Sequence, residues 1–197
     1  MRALAQLDML ATESRWTEPA VCEVSLYRYL FGWVWAPGRP IVVYCGLNPS
    51  TMTAEKTDQT GRKWRGFAER GGFGGYIAVN THAFRATDPD DLLDTMEAGI
   101  DIVGPENDAA IRAALAFPGV TEAVACWGNP PDRCLEPRLD ATEKLLRNGP
   151  VPLSCWGLTG AGNPRHPLML PYSTPRMRML PEAIARSSVS TPKGGPR

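Results

Sequence analysis

The sequence predicts an α/β fold: a three-layer α/β/α arrangement around a central, mainly parallel four-stranded sheet, with further strands at an N-terminal edge. Three observations support this. Four short apolar runs, at 41–46, 76–80, 120–127 and 151–156, are long enough for buried strands and too short for helices. Segments of helical periodicity separate them, the alternation that builds a parallel sheet covered on both faces. The runs also close on turn-forming residues: Gly46 ahead of Asn48-Pro49-Ser50, Asn80, Gly128-Asn129-Pro130-Pro131, and Gly157. Right-handed crossovers then bring all four strand ends to one edge of the sheet. Open α/β sheets hold their ligands at that edge.

Taken in order, residues 1–20 read as an irregular or partly helical lead-in. Residues 22–36, rich in aromatic and β-branched types, read as one or two edge strands broken at Gly32, and Pro37-Gly38-Arg39-Pro40 as a turn. Ile41 to Gly46 is the central strand. Pro49 keeps Asn48 out of the helical region, and Ser50 or Thr51 can cap the next helix. A polar loop becomes a helix with Trp64, Phe67 and Ala68 at helical spacing, ended by Gly71-Gly72. Tyr76 to Asn80 is the second buried strand, and a loop from Thr81 to Pro89 leads into an acidic stretch. Pro105 suits the first turn of a helix running through Ile111 and Leu115 to Phe117. After the third strand a further helix covers 134–148, stopped by Gly149-Pro150. The fourth strand then gives way to a Gly/Pro-rich loop carrying Asn163, Arg165 and His166.

Composition bounds the function classes. The 197 residues, 43% hydrophobic and 21% charged, suit a single globular domain, expected over residues 1–186 with a flexible basic tail at 187–197. No apolar run approaches the roughly 18 residues of a membrane span, and the start lacks a signal-peptide core. The expectation is a cytoplasmic monomer with no membrane partner. Five widely spaced cysteines without a C-x-x-C pair suggest neither a disulfide framework nor a zinc site. Two histidines and no H-E-x-x-H leave no standard metal-ligand spacing, so neither metal nor cofactor is expected. The 21 basic and 21 acidic residues cancel but are unevenly spread. Residues 88–109 carry eight acids and no Lys or Arg, whereas 160–197 carry six bases against Glu182. Such asymmetry permits a nucleic-acid face, and equally a solvated surface.

The strand ends resemble motifs of the uracil-DNA glycosylase superfamily. Gly46-Leu47-Asn48-Pro49-Ser50 is similar to its G-x-N-P-G first motif, and Gly61-Arg62-Lys63-Trp64 to the N-R-x-W beyond it. Tyr76 to Asn80 looks like the strand ending in the base-reading asparagine, and Ala125-Cys126-Trp127-Gly128 like the L-W-G strand. Gly162-Asn163-Pro164-Arg165-His166-Pro167-Leu168 holds both an N-P and an H-P, either of which is similar to the last motif. More closely, residues 24–172 resemble a family of short proteins known as a domain of unknown function. Its hallmarks are C-G-L-N-P-S-T, D-x-T, N-x-x-A-x-R-A-T-x-P and P-R-H-P-L.

The resemblance implies a monofunctional DNA glycosylase that excises a modified pyrimidine and leaves an abasic site. The lead it gives on substrate is glucosylated hydroxymethylcytosine of phage DNA, excised in defence. Such an enzyme extrudes a nucleotide, holds the base edge, stabilises charge on the leaving base and aims a water at C1′. Asn48 is the candidate for the water, although an amide cannot act as a general base. Asp58 is the alternative carboxylate for that water or for a developing oxocarbenium. His166 is the candidate donor to the departing base. Asn80 can donate and accept together, which suits a Watson–Crick edge. Gly46, Leu47, Pro49 and Ser50 complete the binding loop, joined by His82 and by Asn163, the other last-motif candidate. Arg85, Arg165 and Arg176 are candidate phosphate contacts, and Arg85 can equally pair with Asp88. The polar loop around Asp58 stands where several branches place a stacking aromatic, with Trp64 and Phe67 on the core side of the helix. That implies a larger or more hydrophilic base than uracil.

Two other classes compete. Asn48 where a carboxylate would be expected keeps open a non-catalytic module binding nucleic acid or nucleotide. Zero net charge favours a hydrolase of free modified nucleosides.

Overall fold

Ile41–Gly46 (β3) is buried at all six positions, and so is Gly75–Asn80 (β4). Strands with no solvent face must be covered on both sides and flanked at both edges. The computed structural model, which describes residues 20–24, 26–49, 59–86 and 88–179, shows how this is done. β3 pairs in parallel with β4 on one side and with Val120–Ala125 (β5) on the other, and β5 in turn with Leu153–Cys155 (β6). Tyr27–Val34 (β2) runs antiparallel to β4, Ala20–Val24 (β1) antiparallel to β2, and Met177–Arg178 (β7) antiparallel to β6. The single sheet thus has seven strands in the order β1-β2-β4-β3-β5-β6-β7.

Alternation along β3 and β4 divides the core. Val42, Tyr44, Tyr76 and Ala78 face the helix Gln59–Arg70 (α1), packing on its Trp64, Phe67 and Ala68. Val43, Cys45, Ile77 and Val79 face the other way. There they meet Leu92 of Asp91–Glu97 (α2), Ile111 and Leu115 of Asn107–Leu115 (α3), and Leu139 and Leu146 of Glu136–Arg147 (α4). The result is mixed α/β with helices on both faces.

Several expectations need correction. The sheet has seven strands rather than four, because the N-terminal strands belong to it and because β7 arises in a basic segment with no strand pattern. Its Met177 and Arg178 pair with Cys155 and Ser154. Gly32 does not break a strand: it lies inside β2, opposite Ala20 and Ile77, and the turn falls before Tyr27 instead. β2 is an interior strand of the sheet, not an edge. The α3 helix begins at Asn107, two residues later than Pro105 suggests, and the acidic stretch holds the short α2. No helix among the described residues is long and apolar enough to cross a membrane.

Candidate active site

The carboxyl ends of β3 and β4 are tied together. The Gly46 carbonyl accepts from the Thr81 N–H (2.9 Å), and the Leu47 carbonyl accepts from the His82 N–H (2.9 Å) and the Thr81 hydroxyl (2.8 Å). Gly46 is required here by close approach. A Cβ on it would lie 2.7 Å from Asn80 Oδ1 and 3.5 Å from Trp64 Cζ2, so the Asn80 amide occupies the space of a side chain that glycine lacks.

Asn48 comes two residues later. Its Nδ2 donates to the Ala86 carbonyl at 2.9 Å, with the Pro49 carbonyl at 3.4 Å. Facing two carbonyls, that atom must be the NH₂, which fixes the amide orientation and leaves Oδ1 as an acceptor. No described residue donates to Oδ1. An acceptor held this way can orient a water.

Asn80 is 5% exposed, and its backbone is clamped from the opposite face of the sheet. Asn107 of α3 donates from Nδ2 to the carbonyls of Asn80 (3.1 Å) and Thr81 (3.0 Å). Arg138 of α4 adds Nε to the Thr81 carbonyl (2.7 Å) and pairs through Nη1 with Asp108 (2.7 Å). The Asn80 side chain has no hydrogen bond among the described residues and faces a cavity.

Beyond β5, Gly128 adopts φ +73° and donates its N–H to the Pro164 carbonyl (2.8 Å). A Cβ there would sit 3.2 Å from His166 Cβ, so the histidine packs against a bare backbone. His166 Nδ1 accepts from the Leu168 N–H (3.4 Å) at the start of the 3₁₀ turn Pro167–Met169. With Nδ1 accepting, a neutral ring carries its proton on Nε2 and can donate there.

These groups surround a cavity of about 450 Å³. Its polar lining includes Arg28, Asn48, Thr60, Asn80, Asn129 and His166. Its aromatic lining is Phe31, Trp64, Tyr76 and Trp127. Trp64 also stacks flat on Tyr44, centroids 5.7 Å apart and rings within 7° of parallel, so the aromatic wall is backed by the core.

Of the residues singled out from the sequence, Gly46, Leu47, Asn48, Pro49, Asn80 and His166 line this cavity. Ser50 and Asp58 lie outside the described residues. The others do not line it. The Asn163 amide donates to Asn129 Oδ1 (3.3 Å), within a loop where Thr159 also donates to that oxygen (2.7 Å). Arg165 is exposed, its Cδ over Gly157. Arg85 is half-buried, with its backbone N–H on the Leu26 carbonyl. Arg176 pairs with Glu122 (3.2 Å) and lies over the Phe73 ring, in a small hollow beside Arg70 and Tyr172. The polar loop expected as a wall lies outside the described residues through Asp58, and Trp64, expected on the core side, serves the core and the cavity at once.

His82 is the plainest displacement. Two residues past Asn80 its ring is 1% exposed, against Thr81 Oγ1 at 2.9 Å. The Thr81 hydroxyl gives its hydrogen to Leu47, so His82 Nδ1 is the donor. Burial first, and the Arg138 charge second, hold the ring's pKa at about 4. The folded pKa lies below the unfolded one, so neutral His82 contributes stability that is present above the unfolded value of about 6.5. As pH falls the unfolded chain takes up the proton first. Stability should drop by up to about 1.4 kcal/mol per pH unit between about 6.5 and 4. Denaturant midpoints across that window check this, and His82→Gln should flatten the slope. An unchanged slope in the variant would reject the assignment.

Sequence reasoning missed Arg28, Phe31 and Tyr76 in the cavity, and Asn107 and Arg138 behind it. A lone arginine inside the apolar 22–36 run was the one available signal for Arg28. The model of the family described as "Protein of unknown function (DUF1643)" matches residues 28–168. The chain belongs to this family. In this DUF1643 protein the matched span begins at Arg28 and ends at Leu168, both lining residues of the cavity. No curated protein matches the chain, and no solved structure does.

Proposed function

We propose that this DUF1643 protein is a DNA glycosylase that extrudes a modified pyrimidine nucleotide and hydrolyses its N-glycosidic bond, leaving an abasic site. The observation that carries the reading is the convergence of Asn48, Asn80 and His166 on one cavity at the carboxyl edge of the parallel strands. The similarity of the strand-end motifs to those of uracil-DNA glycosylases supports it. In this reading Asn48 Oδ1 aims the water at C1′, Asn80 reads the base edge, and His166 donates to the base as it leaves. The C1′–N bond breaks with its electron pair on the base. Water oxygen bonds to C1′, one water proton passes to solvent, and the released base is reprotonated from solvent.

The cavity volume falls within the roughly 300–1,000 Å³ of sites for sizeable ligands, more than a bare pyrimidine requires. That favours a base with a bulky substituent, glucosylated hydroxymethylcytosine being the first to try. The aromatic walls suit a flipped ring, since base–aromatic stacking is insensitive to base identity and leaves selection to polar groups. The decisive experiment is a search by mass spectrometry for bases released from DNAs carrying different modifications, with alkali-sensitive sites as the second readout. No release from any of them would end the reading. A non-catalytic binding module is favoured instead by one observation: no Asp or Glu lines the cavity among the described residues.

Exposed Arg165, beside the cavity loop, is where a DNA strand would be held. Affinity should fall with salt at a log–log slope near −0.9 per phosphate neutralised, and Arg165→Ala should flatten that slope by about one unit. A salt-independent affinity would point to a free nucleoside as substrate.

A further inference from the structure

A second, smaller hollow lies on the α1 face of the sheet, toward the C-terminal end of that helix. Buried Phe67 and Trp156, ring centroids 4.4 Å apart, line it from the core side. Arg70, Tyr172, Thr174 and Arg176 stand around it. Its volume is about 150 Å³, below the roughly 300–1,000 Å³ of sites for sizeable ligands, so it suits a small group and not a base. No Asp or Glu lines it among the described residues, and two guanidiniums do.

Both guanidiniums are held in place by the fold. Arg70 ends α1, donates from Nη1 to the Gly66 carbonyl (3.0 Å) and lies 4.0 Å from the centroid of the Tyr172 ring. That ring rests on bare helix backbone, since a Cβ on Gly66 would be 2.6 Å from the Tyr172 hydroxyl oxygen. Arg176 pairs through Nη1 with Glu122 (3.2 Å) and lies 5.1 Å from the centroid of the Phe73 ring. A guanidinium has five N–H donors. Among the described residues, hydrogen bonds and ion pairs engage one nitrogen of each arginine. A cation in the last turn of a helix suits its dipole, which accounts for Arg70. It does not bring Arg176 to the same hollow, where two like charges repel unless an anion lies between them.

The hollow adjoins the cavity along two paths. Trp64 lines the cavity and Arg70 the hollow, six residues apart on α1, or ~9 Å along the helix axis. The segment from Leu168 to Tyr172 runs from one to the other, fastened to α1 by Lys63 Nζ on the Leu170 carbonyl (2.8 Å). Phosphates of one DNA strand follow each other at ~3.4 Å along the duplex axis, so the separation matches about three nucleotides.

We infer that the hollow is a phosphate-binding site, in which Arg70 and Arg176 grip a phosphate of the DNA strand about three nucleotides from the one whose base enters the cavity. This rests on the reading of the protein as a DNA glycosylase. Planar guanidinium forks match the oxygens of a phosphate. A second fixed point on the strand sets which nucleotide stands at the cavity mouth.

The test uses the full chain and DNA carrying one tetrahydrofuran residue, an analogue of the abasic product whatever base is released, in single-stranded and duplex form. Phosphates are replaced one at a time by uncharged methylphosphonates, and affinity is read by fluorescence anisotropy. In the wild type, one replacement about three nucleotides from the abasic residue should weaken binding about 10-fold, the scale of one charge-assisted contact. Arg70→Gln should weaken binding to the natural backbone by a similar factor, flatten the log–log salt slope by about one unit and become indifferent to that replacement. Arg176→Gln should do the same, and should either variant fail to fold in a thermal melt, the other decides. A replacement that costs the wild type and the variants alike, or no position whose penalty depends on either arginine, overturns the inference. So does protection by millimolar inorganic phosphate, raising the Tm of the wild type and not of the variants, without a coupled DNA position: the ligand is then free phosphate. Base release without the coupling sinks this inference alone. Coupling without base release from any DNA keeps the site and removes the catalytic reading.

Discussion

Replacing Asn48 with alanine should reduce base release by a factor on the order of 10² to 10³ while leaving DNA affinity nearly unchanged, the usual cost of losing one preorganised polar group at a reacting centre. The reason lies in how the amide is held. Its Nδ2 is committed to the Ala86 carbonyl, so Oδ1 is presented without reorganisation, and an alanine offers nothing to the water. In the proposed reading the flipped nucleotide is held in its ground state mainly by the aromatic walls and Asn80, so affinity should survive the change. His166→Ala should cost a similar factor. The double variant should lose less than the product of the two, because both act on one transition state. Single-turnover release of base, monitored beside a gel-shift titration, separates the two effects. Equal losses in affinity and rate would mean that Asn48 only shapes the loop.

Gly46→Val should be as damaging, although Gly46 offers no functional group. The new Cβ would claim a position 2.7 Å from Asn80 Oδ1, and its methyls would press on Trp64. Asn80 is the softer of the two, since its backbone is clamped but its side chain is not bonded to any described residue. It must swing away, and a displacement of about 1 Å at a positioning group can cost on the order of 10²-fold. The variant should also discriminate less between bases, because a misplaced amide no longer penalises the wrong edge. Melting within a few degrees of wild type, with rate and selectivity both lost, is the expected signature. Retained selectivity would show that the Asn80 amide does not read the base.

The parts of this molecule legible in its sequence are those where one physical cause dominates. The runs at 41–46 and 76–80 are apolar, short and bounded by Gly, Asn and Pro, and nothing competes with burial there, so β3 and β4 lie within a residue of where the pattern puts them. Asn48, Asn80 and His166 were legible as a group because parallel connectivity alone sends their strand ends to one edge. What escaped depends on pairings between distant segments. β7 has two residues and no pattern of its own; it exists because Ser154 and Cys155 offer a free edge. Gly32 looks like a strand breaker, but sits paired between two neighbours that fix its conformation. Arg28 reaches the cavity through a slip in register that no single strand encodes. His82 stands two residues after Asn80, yet its ring turns into the interior, onto Thr81, as the chain leaves the sheet.

The carbonyls of Asn80 and Thr81 are gripped by Asn107 and Arg138, which belong to helices on the reverse of the sheet. The arrangement separates the instrument from its mounting. If the cavity takes a base as proposed, the angle at which Asn80 meets it would be set from behind, by two residues that are not among those lining the cavity. Changes in α3 or α4 can therefore retune recognition while every wall of the cavity keeps its identity. Under the proposed function, lineages of this fold facing a shifting set of substrates would have two routes to a new preference: rebuilding the walls, or moving the mount by a fraction of an ångström.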